Sequence, residues 1–273
     1  MNRAASALVL LASSLVLAAC GGDAVSLDPV AAAATKTSKA GAAKFDMQIE
    51  FAVNGQQFHA NGGGVAGDDG MQMAIDFADV LRASGQRAAG PAVMKFIADT
   101  RSGFVMYIGL PKALLNGGGL PGGKPWMRID MVRFAERYGL DASQFTSTGS
   151  QTPMQAVDQL RASKNSEKVG EETVDGVKTT HYRCTVRTTD VIKQADPARR
   201  AELRKLMRGQ PKTIRTDVWV DDDDLIRKLT SAYGKVGTAT MTFREWGVPF
   251  QLDVPPANQT INGNTLIAQQ QGR

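Results

Sequence analysis

Two cysteines and two histidines are all that 273 residues contain. Histidines at 59 and 181 and cysteines at 20 and 184 are too few and too scattered for a zinc or haem spacing. No Gly-x-Ser-x-Gly elbow occurs, and the scattered Ser, His and Asp residues define no triad. The chain is therefore not expected to be an enzyme, and neither a catalytic residue, a metal site nor a cofactor is expected. Charge of neither sign dominates: 32 Lys and Arg against 27 Asp and Glu give a formal net charge of +5. So small an excess argues against nucleic acid as a partner. Long apolar runs are also missing, because the one from Ala4 to Ala19 is short for a membrane helix, which needs about 20 residues.

That run has a different reading. Arg3 followed by an apolar segment makes residues 1–19 a secretory signal, and Leu17-Ala18-Ala19-Cys20-Gly21 has the form of a bacterial lipobox. Small residues admit the peptidase, and the Cys20 thiol accepts a diacylglycerol. The expectation is a protein exported and anchored through lipidated Cys20 to the outer side of the cytoplasmic membrane, with residues 20–27 as tether. Cys184 is then left without a disulfide partner, and its alternating neighbours suit a packed strand position better than a nucleophile.

A composition of 42% hydrophobic residues is enough for a sizeable core, and no compositional break divides the chain. One domain over residues 28–273 is expected. Asp28 can cap a helix that Pro29 opens and Gly41 ends. The apolar period then changes to two: Phe45, Met47, Ile49, Phe51 and Val53 alternate with polar residues up to the turn pair Asn54-Gly55. A return strand at 57–65 is followed by renewed alternation at Met71, Met73, Ile75 and Phe77, then by strands at 93–99, 103–110 and 126–129. Helices capped by Asp130 and opened by Pro153 follow. Asp175-Gly176 predicts a hairpin between 168–174 and 177–188. Asp196-Pro197 opens a basic helix ending near Gly209, whose Lys193, Arg199, Arg200, Arg204, Lys205 and Arg208 suit an exposed face or contact with anionic lipid. Strands at 212–221, 225–233 and 238–246 complete an antiparallel meander. The fold class is α+β: one curved antiparallel sheet, a half-open barrel, with helices covering its concave face.

Two stretches imitate known sites. Gly118, Gly123 and Lys124 match a phosphate-binding loop until Pro125 takes the place of the required Ser or Thr, and the following Trp126-Met127-Arg128-Ile129 favours a strand rather than a helix. A surface loop is expected there. Asp221 to Asp224 offer oxygen ligands to calcium but lack the glycine turn and distal Glu of an EF-hand, which makes a solvated hairpin the better reading.

The order of lipobox, Asp-Pro helix, amphipathic strands, LPGGKPWMRID (120–130), VGEETVDGVKTTHYRCTV (169–186) and TDVWVDDDDLIRKL (216–229) resembles the LppX/LprG-type lipoproteins of actinobacteria, within the LolA-like superfamily. The resemblance implies a half-open barrel that holds an acylated lipid or glycolipid between sheet and helices and carries or presents it in the cell envelope. The alternating strands supply a candidate lining of Met47, Ile49, Phe51, Met73, Ile75, Phe77, Met106 and Ile108, methionines being pliant surfaces for an acyl chain. The alternative is a non-catalytic sensor or interaction module that binds an envelope protein with the same sheet.

Overall fold

The computed structural model describes residues 28–53, 56–83, 92–101, 103–111, 120–138, 153–194, 212–232 and 237–271, with a few positions between 197 and 204. The first element, α1 (Pro29–Thr37), starts where Asp28 Oδ1 accepts the amides of Val30 (3.1 Å) and Ala31 (3.2 Å). Its Ala-rich sequence presents small residues, so the helix can lie close to a sheet. Val30, Ala33 and Ala34 are buried there. The helix ends at Thr37, four residues before the expected stop at Gly41. The cause is tertiary: buried Thr37 Oγ1 accepts the amide of Ile226, which ties the last turn to the sheet. Gly41, at φ +83°, then swings the chain into the first strand.

Six strands follow as a meander: β1 (Ala43–Val53), β2 (Gln56–Gly67), β3 (Gly70–Asp76), β4 (Val93–Asp99), β5 (Val105–Gly109) and β6 (Trp126–Asp130). A helix α2 (Ala78–Ala83) follows β3, and α3 (Met131–Arg137) follows β6 with the expected cap, Asp130 accepting the amide of Arg133. Next comes α4 (Pro153–Leu160). A second meander runs through β7 (Lys164–Val174), β8 (Val177–Arg187), α5 (Thr188–Gln194), β9 (Thr213–Asp221), β10 (Ile226–Ala232) and β11 (Gly237–Trp246). The turn at Asp175-Gly176 has positive φ at both positions, 48° and 82°, as a tight two-residue hairpin requires. The turn at Asn54-Gly55 and most of the basic helix expected over 196–209 lie outside the described residues.

The meanders join side by side, because β1 pairs with β2 on one edge and β11 on the other. The result is a single sheet of order β12-β6-β5-β4-β3-β2-β1-β11-β10-β9-β8-β7, curved and unclosed. The expected α+β class with one curved sheet is what the structure has. Helix α2 was not expected, and neither were three further features. Strand β12 (Thr260–Asn262) pairs with β6 in parallel, against the otherwise antiparallel pattern. A C-terminal helix α6 (Gly263–Gln271) follows it. The strand read as running to Thr188 ends at Arg187, where α5 begins.

Directly opposed residues share a face of a sheet, and the register therefore divides the side chains cleanly. Phe45, Met47, Ile49 and Phe51 face inward with Phe243 and Met241 of β11. Across β2 they meet Gly64, Gly62, Ala60 and Phe58, and Gly62 and Gly64 in turn oppose Ile75 and Met73. The inward row continues through Phe96 of β4 to Ile108 of β5 and Met127 of β6. Helices α1 and α4 sit on the inward face over β1 and β8–β11, where Val157 and Leu160 of α4 join Phe45, Val218, Ile226, Leu229 and Phe243 in the main core. At the far end, Phe134 of α3 and Ile267 of α6 pack against inward-facing Met106, Ile108, Met127 and Ile129. The outward face is covered as well. Phe250, Leu252 and Val254, beyond β11, pack on Ile97, Val105, Tyr107 and Trp126.

Candidate functional site

The concave face is where the sheet withholds side chains from complete burial. Of the eight residues expected to line a site, only Ile75 is fully buried; the other seven are half-buried. Their common face follows from strand alternation and register, yet the structure does not gather them in one place.

Met47, Ile49 and Phe51 line a cavity of about 330 Å³ roofed by Ala156 and Gln159 of α4. Leu229 and Ser231 of β10, with Gly237, Thr238, Ala239 and Met241 of β11, form its other wall. This volume falls at the low end of small-ligand sites, which span about 300–1,000 Å³. Phe51 stacks on Phe58 across the hairpin, centroids 5.3 Å apart, and extends the apolar wall toward the β1–β2 end. A few polar groups share the lining, Gln159, Ser231, Thr238 and Glu50 among them, and Thr238 donates to Glu50 Oε2 at 3.3 Å.

Met73 packs against the main core, and Phe77 meets Phe96 edge-on at 6.3 Å. Met106 and Ile108 belong to the separate apolar cluster under α3 and α6. The eight residues are thus parts of one apolar face, with three of them in the cavity. The cavity wall from β10, β11 and α4 escaped the sequence reading. Alternation of Leu229 and Met241 was visible there, but which strands flank β1 depends on pairing between residues nearly 200 positions apart.

Glycine shapes this face. Gly62 and Gly64 are the inward positions of β2, and a Cβ on Gly64 would stand 2.0 Å from the Gln72 carbonyl oxygen. Neighbouring β3 approaches too closely for a side chain, so the middle of the concave surface is bare backbone between Met47 and Ile75.

The sites imitated in the sequence resolve into structural roles. Residues 121–123 form a 3-10 turn closed by the Gly123 amide on the Leu120 carbonyl, and Lys124 Nζ donates to the Thr260 carbonyl at 3.0 Å, holding the β12 region. Trp126 begins a strand, as expected. Asp221 is buried and already engaged: its Oδ1 accepts the amides of Asp223 and Leu225, and its Oδ2 accepts Arg227 Nε at 2.5 Å. Asp224 pairs with Lys36 at 3.4 Å. Among the described residues no group of His, Cys, Asp and Glu is placed to hold a metal ion.

Cys184 is 2% exposed and faces the core, where burial pushes its thiol up to about 11. His181 is buried between Glu172 and Asp217, while His59 is exposed, 3.7 Å from Glu50. Cys20 lies outside the described residues, among which no helix is long and apolar enough to cross a membrane.

No family model matches the chain. It is 30% identical over 157 residues to an uncharacterized 31.2 kDa protein of Streptomyces griseus, a match covering 54% of this chain and 51% of that one. It is 28% identical over 153 residues to a Streptomyces coelicolor protein named as a candidate lipoprotein, covering 55% and 46%. The chain thus spans about half the length of the curated relatives it matches. Among solved structures, LprF of Mycobacterium bovis is 14% identical with a TM-score of 0.43, over 83% of this chain and 95% of that one. The lipoprotein LppX of Mycobacterium tuberculosis is 13% identical with a TM-score of 0.38, over 82% and 98%. LppX, of the type that the sequence resembles, is among the solved structures that the chain is similar to.

Proposed function

We propose that this chain is an exported, non-catalytic protein, anchored through lipidated Cys20 to the outer side of the cytoplasmic membrane, which binds an acylated lipid or glycolipid on its concave face and carries or presents it in the envelope. The observation that carries the reading is the half-buried apolar face of β1–β6, running into a 330 Å³ cavity under α4. An acyl chain of about 14 methylenes forfeits about 11 kcal/mol on leaving a bilayer, at about 0.8 kcal/mol per methylene. A carrier has to replace that surface with its own, and partly exposed Met47, Ile49, Phe51, Met73, Phe77, Met106 and Ile108 supply it. The lipobox, and the lipoprotein name of the Streptomyces coelicolor relative, support the anchor.

Native mass spectrometry of protein extracted from its own membrane tests the reading. Acyl-lipid adducts are expected, and Ala239→Phe, which fills the cavity from β11, is expected to reduce them while circular dichroism stays unchanged. Consistently lipid-free protein, or undiminished lipid on the filled variant, overturns it in favour of an interaction module on the same sheet.

A further inference from the structure

A second recess of about 480 Å³ lies between α3, α6 and the paired ends of β6 and β12. Its charged lining is Arg128, Arg133 and Arg137 against one acid, Asp130. That acid is already used. Its Oδ1 accepts the Arg133 amide at 3.1 Å to cap α3, and its Oδ2 is 3.6 Å from Arg133 Nε. Arg128 and Arg137 have no ion-pair partner among the described residues. The carboxylate whose field Arg128 does feel, Asp99, is itself held by two hydrogen bonds from Arg101, at 2.9 and 2.8 Å.

The neutral polar groups are spent in a matching way. Asn264 uses both ends of its amide on the backbone of Asp130, accepting its N–H at 2.8 Å and donating to its carbonyl at 2.9 Å. Its side chain thereby extends the β6 ladder one step beyond β12. Asn262 Oδ1 accepts the Thr265 amide at 3.2 Å, which leaves its NH₂ as a donor. The charged acceptor of the recess is engaged by Arg133, and the unpaired charges that remain are the two guanidinium forks, beside the neutral groups of Asn262, Thr265 and Gln269. Such a set selects an oxyanion, since guanidinium binds phosphate through paired N–H groups.

The same two helices connect this recess to the apolar face. Phe134 of α3 and Ile267 of α6 cover Met106 and Ile108 on the concave side, while Arg133, Arg137 and Gln269 of those helices line the recess. Arg128 stands opposite Tyr107 and so faces outward, at the β6–β12 edge of the sheet. We propose that the Arg128–Arg137 recess binds the phosphate of a phosphorylated amphiphile whose acyl chain passes round that edge onto the concave apolar face. The placement of the chain rests on the lipid-binding reading; the oxyanion site does not. A soluble phosphate offers the same chemistry without a chain.

The test compares phosphatidylglycerol with diacylglycerol of identical chains in a lipid-exchange assay, using the wild-type chain and R128Q/R137Q, alongside titration with inorganic phosphate. A preference of about tenfold for phosphatidylglycerol is expected, the size of one to two charge-assisted hydrogen bonds. In the variant the preference disappears and diacylglycerol binding stays. If neither lipid binds but phosphate binds the wild type and not the variant, the recess holds a free oxyanion and the lipid-carrying reading fails alone. If the wild type shows neither preference nor phosphate binding, or the variant keeps both, the site is overturned. R137Q alone, at an exposed helix position, gives a partial loss of preference even where the double variant folds poorly, and an unchanged preference there counts against the proposal.

Discussion

His181 lies flat against Trp219, ring centroids 4.3 Å apart and planes 13° from parallel, the two residues being direct partners across β8 and β9. Glu172 binds both: one oxygen is 2.9 Å from His181 Nδ1 and the other accepts Trp219 Nε1 at 2.8 Å. Asp217 lies 2.9 Å from His181 Nε2, and Lys228 stands over the Trp219 ring at 4.4 Å. A carboxylate only accepts, so both imidazole contacts are hydrogen bonds when both ring nitrogens carry hydrogen. This group fastens β7, a sheet edge, to the strands inside it. His181→Ala leaves Glu172 with one partner and exposes the Trp219 face, and is expected to cost about 1–3 kcal/mol. Faster amide exchange along β7 than along β1 is the accompanying sign; unchanged exchange and melting temperature refute it.

Acid sensitivity follows from the carboxylates. The Trp219 indole hydrogen bond, opposed by partial burial and helped by His181, holds Glu172 below the usual carboxylate range, and Arg101 does the same for Asp99. A lowered folded value means stability present above the unfolded value and lost as pH falls through the folded one. Asp158 runs oppositely, because burial raises its carboxyl and its unfavourable contribution at neutral pH fades on protonation. Thermal unfolding is therefore expected to move down as pH falls below about 4, with a smaller acid loss in Glu172→Gln. Asp158→Asn is expected to raise the melting temperature at pH 7. The effects are modest, since Glu172 and Asp158 are about half exposed.

Cys184 offers a direct probe of core integrity. With its thiol raised to about 11 and its surface 2% exposed, native protein treated with iodoacetamide at pH 8 is expected to remain unmodified there. Modification in urea should follow the global unfolding curve. Rapid alkylation of folded protein contradicts the packing described above.

Gly64 is a tightly constrained position of the concave surface. An added methyl meets the Gln72 carbonyl and Met73 Cα, at 2.0 and 2.7 Å, and both are backbone atoms that cannot rotate aside. Gly64→Ala is expected to destabilise by more than about 2 kcal/mol, read as a lower urea midpoint. The same change at Gly122, whose Cβ direction is empty, disturbs only its own turn. Equal effects at the two sites contradict the close approach of β2 and β3.

Much of this architecture was legible because its signals are local. Strict alternation from Phe45 to Phe51 declares a strand with one apolar face, and Asp175-Gly176 declares its turn through the positive φ that such turns demand. Placing Met47, Ile49, Phe51, Met73, Ile75, Phe77, Met106 and Ile108 on one face needed nothing more. Which three of them enter the cavity, and which pack on the main core or the second cluster, was not legible, because it depends on where α4 and α6 land. Helix α6 and three-residue β12 carry little pattern, and β12 is held by parallel pairing and the Lys124 contact to Thr260. Thr37 ended α1 early through a bond to a residue 189 positions away, which no helix rule foresees.

A closed barrel has its girth dictated by strand number and stagger. Here β7 and β12 never meet, so nothing in the backbone prescribes the width of the interior. The wedging of α1 and α4 at one end and α3 and α6 at the other takes over that duty. If the proposed lipid binding holds, bulkier or slimmer side chains on those helices are expected to fit thinner or fatter cargo without redrawing a single hydrogen-bonded ladder.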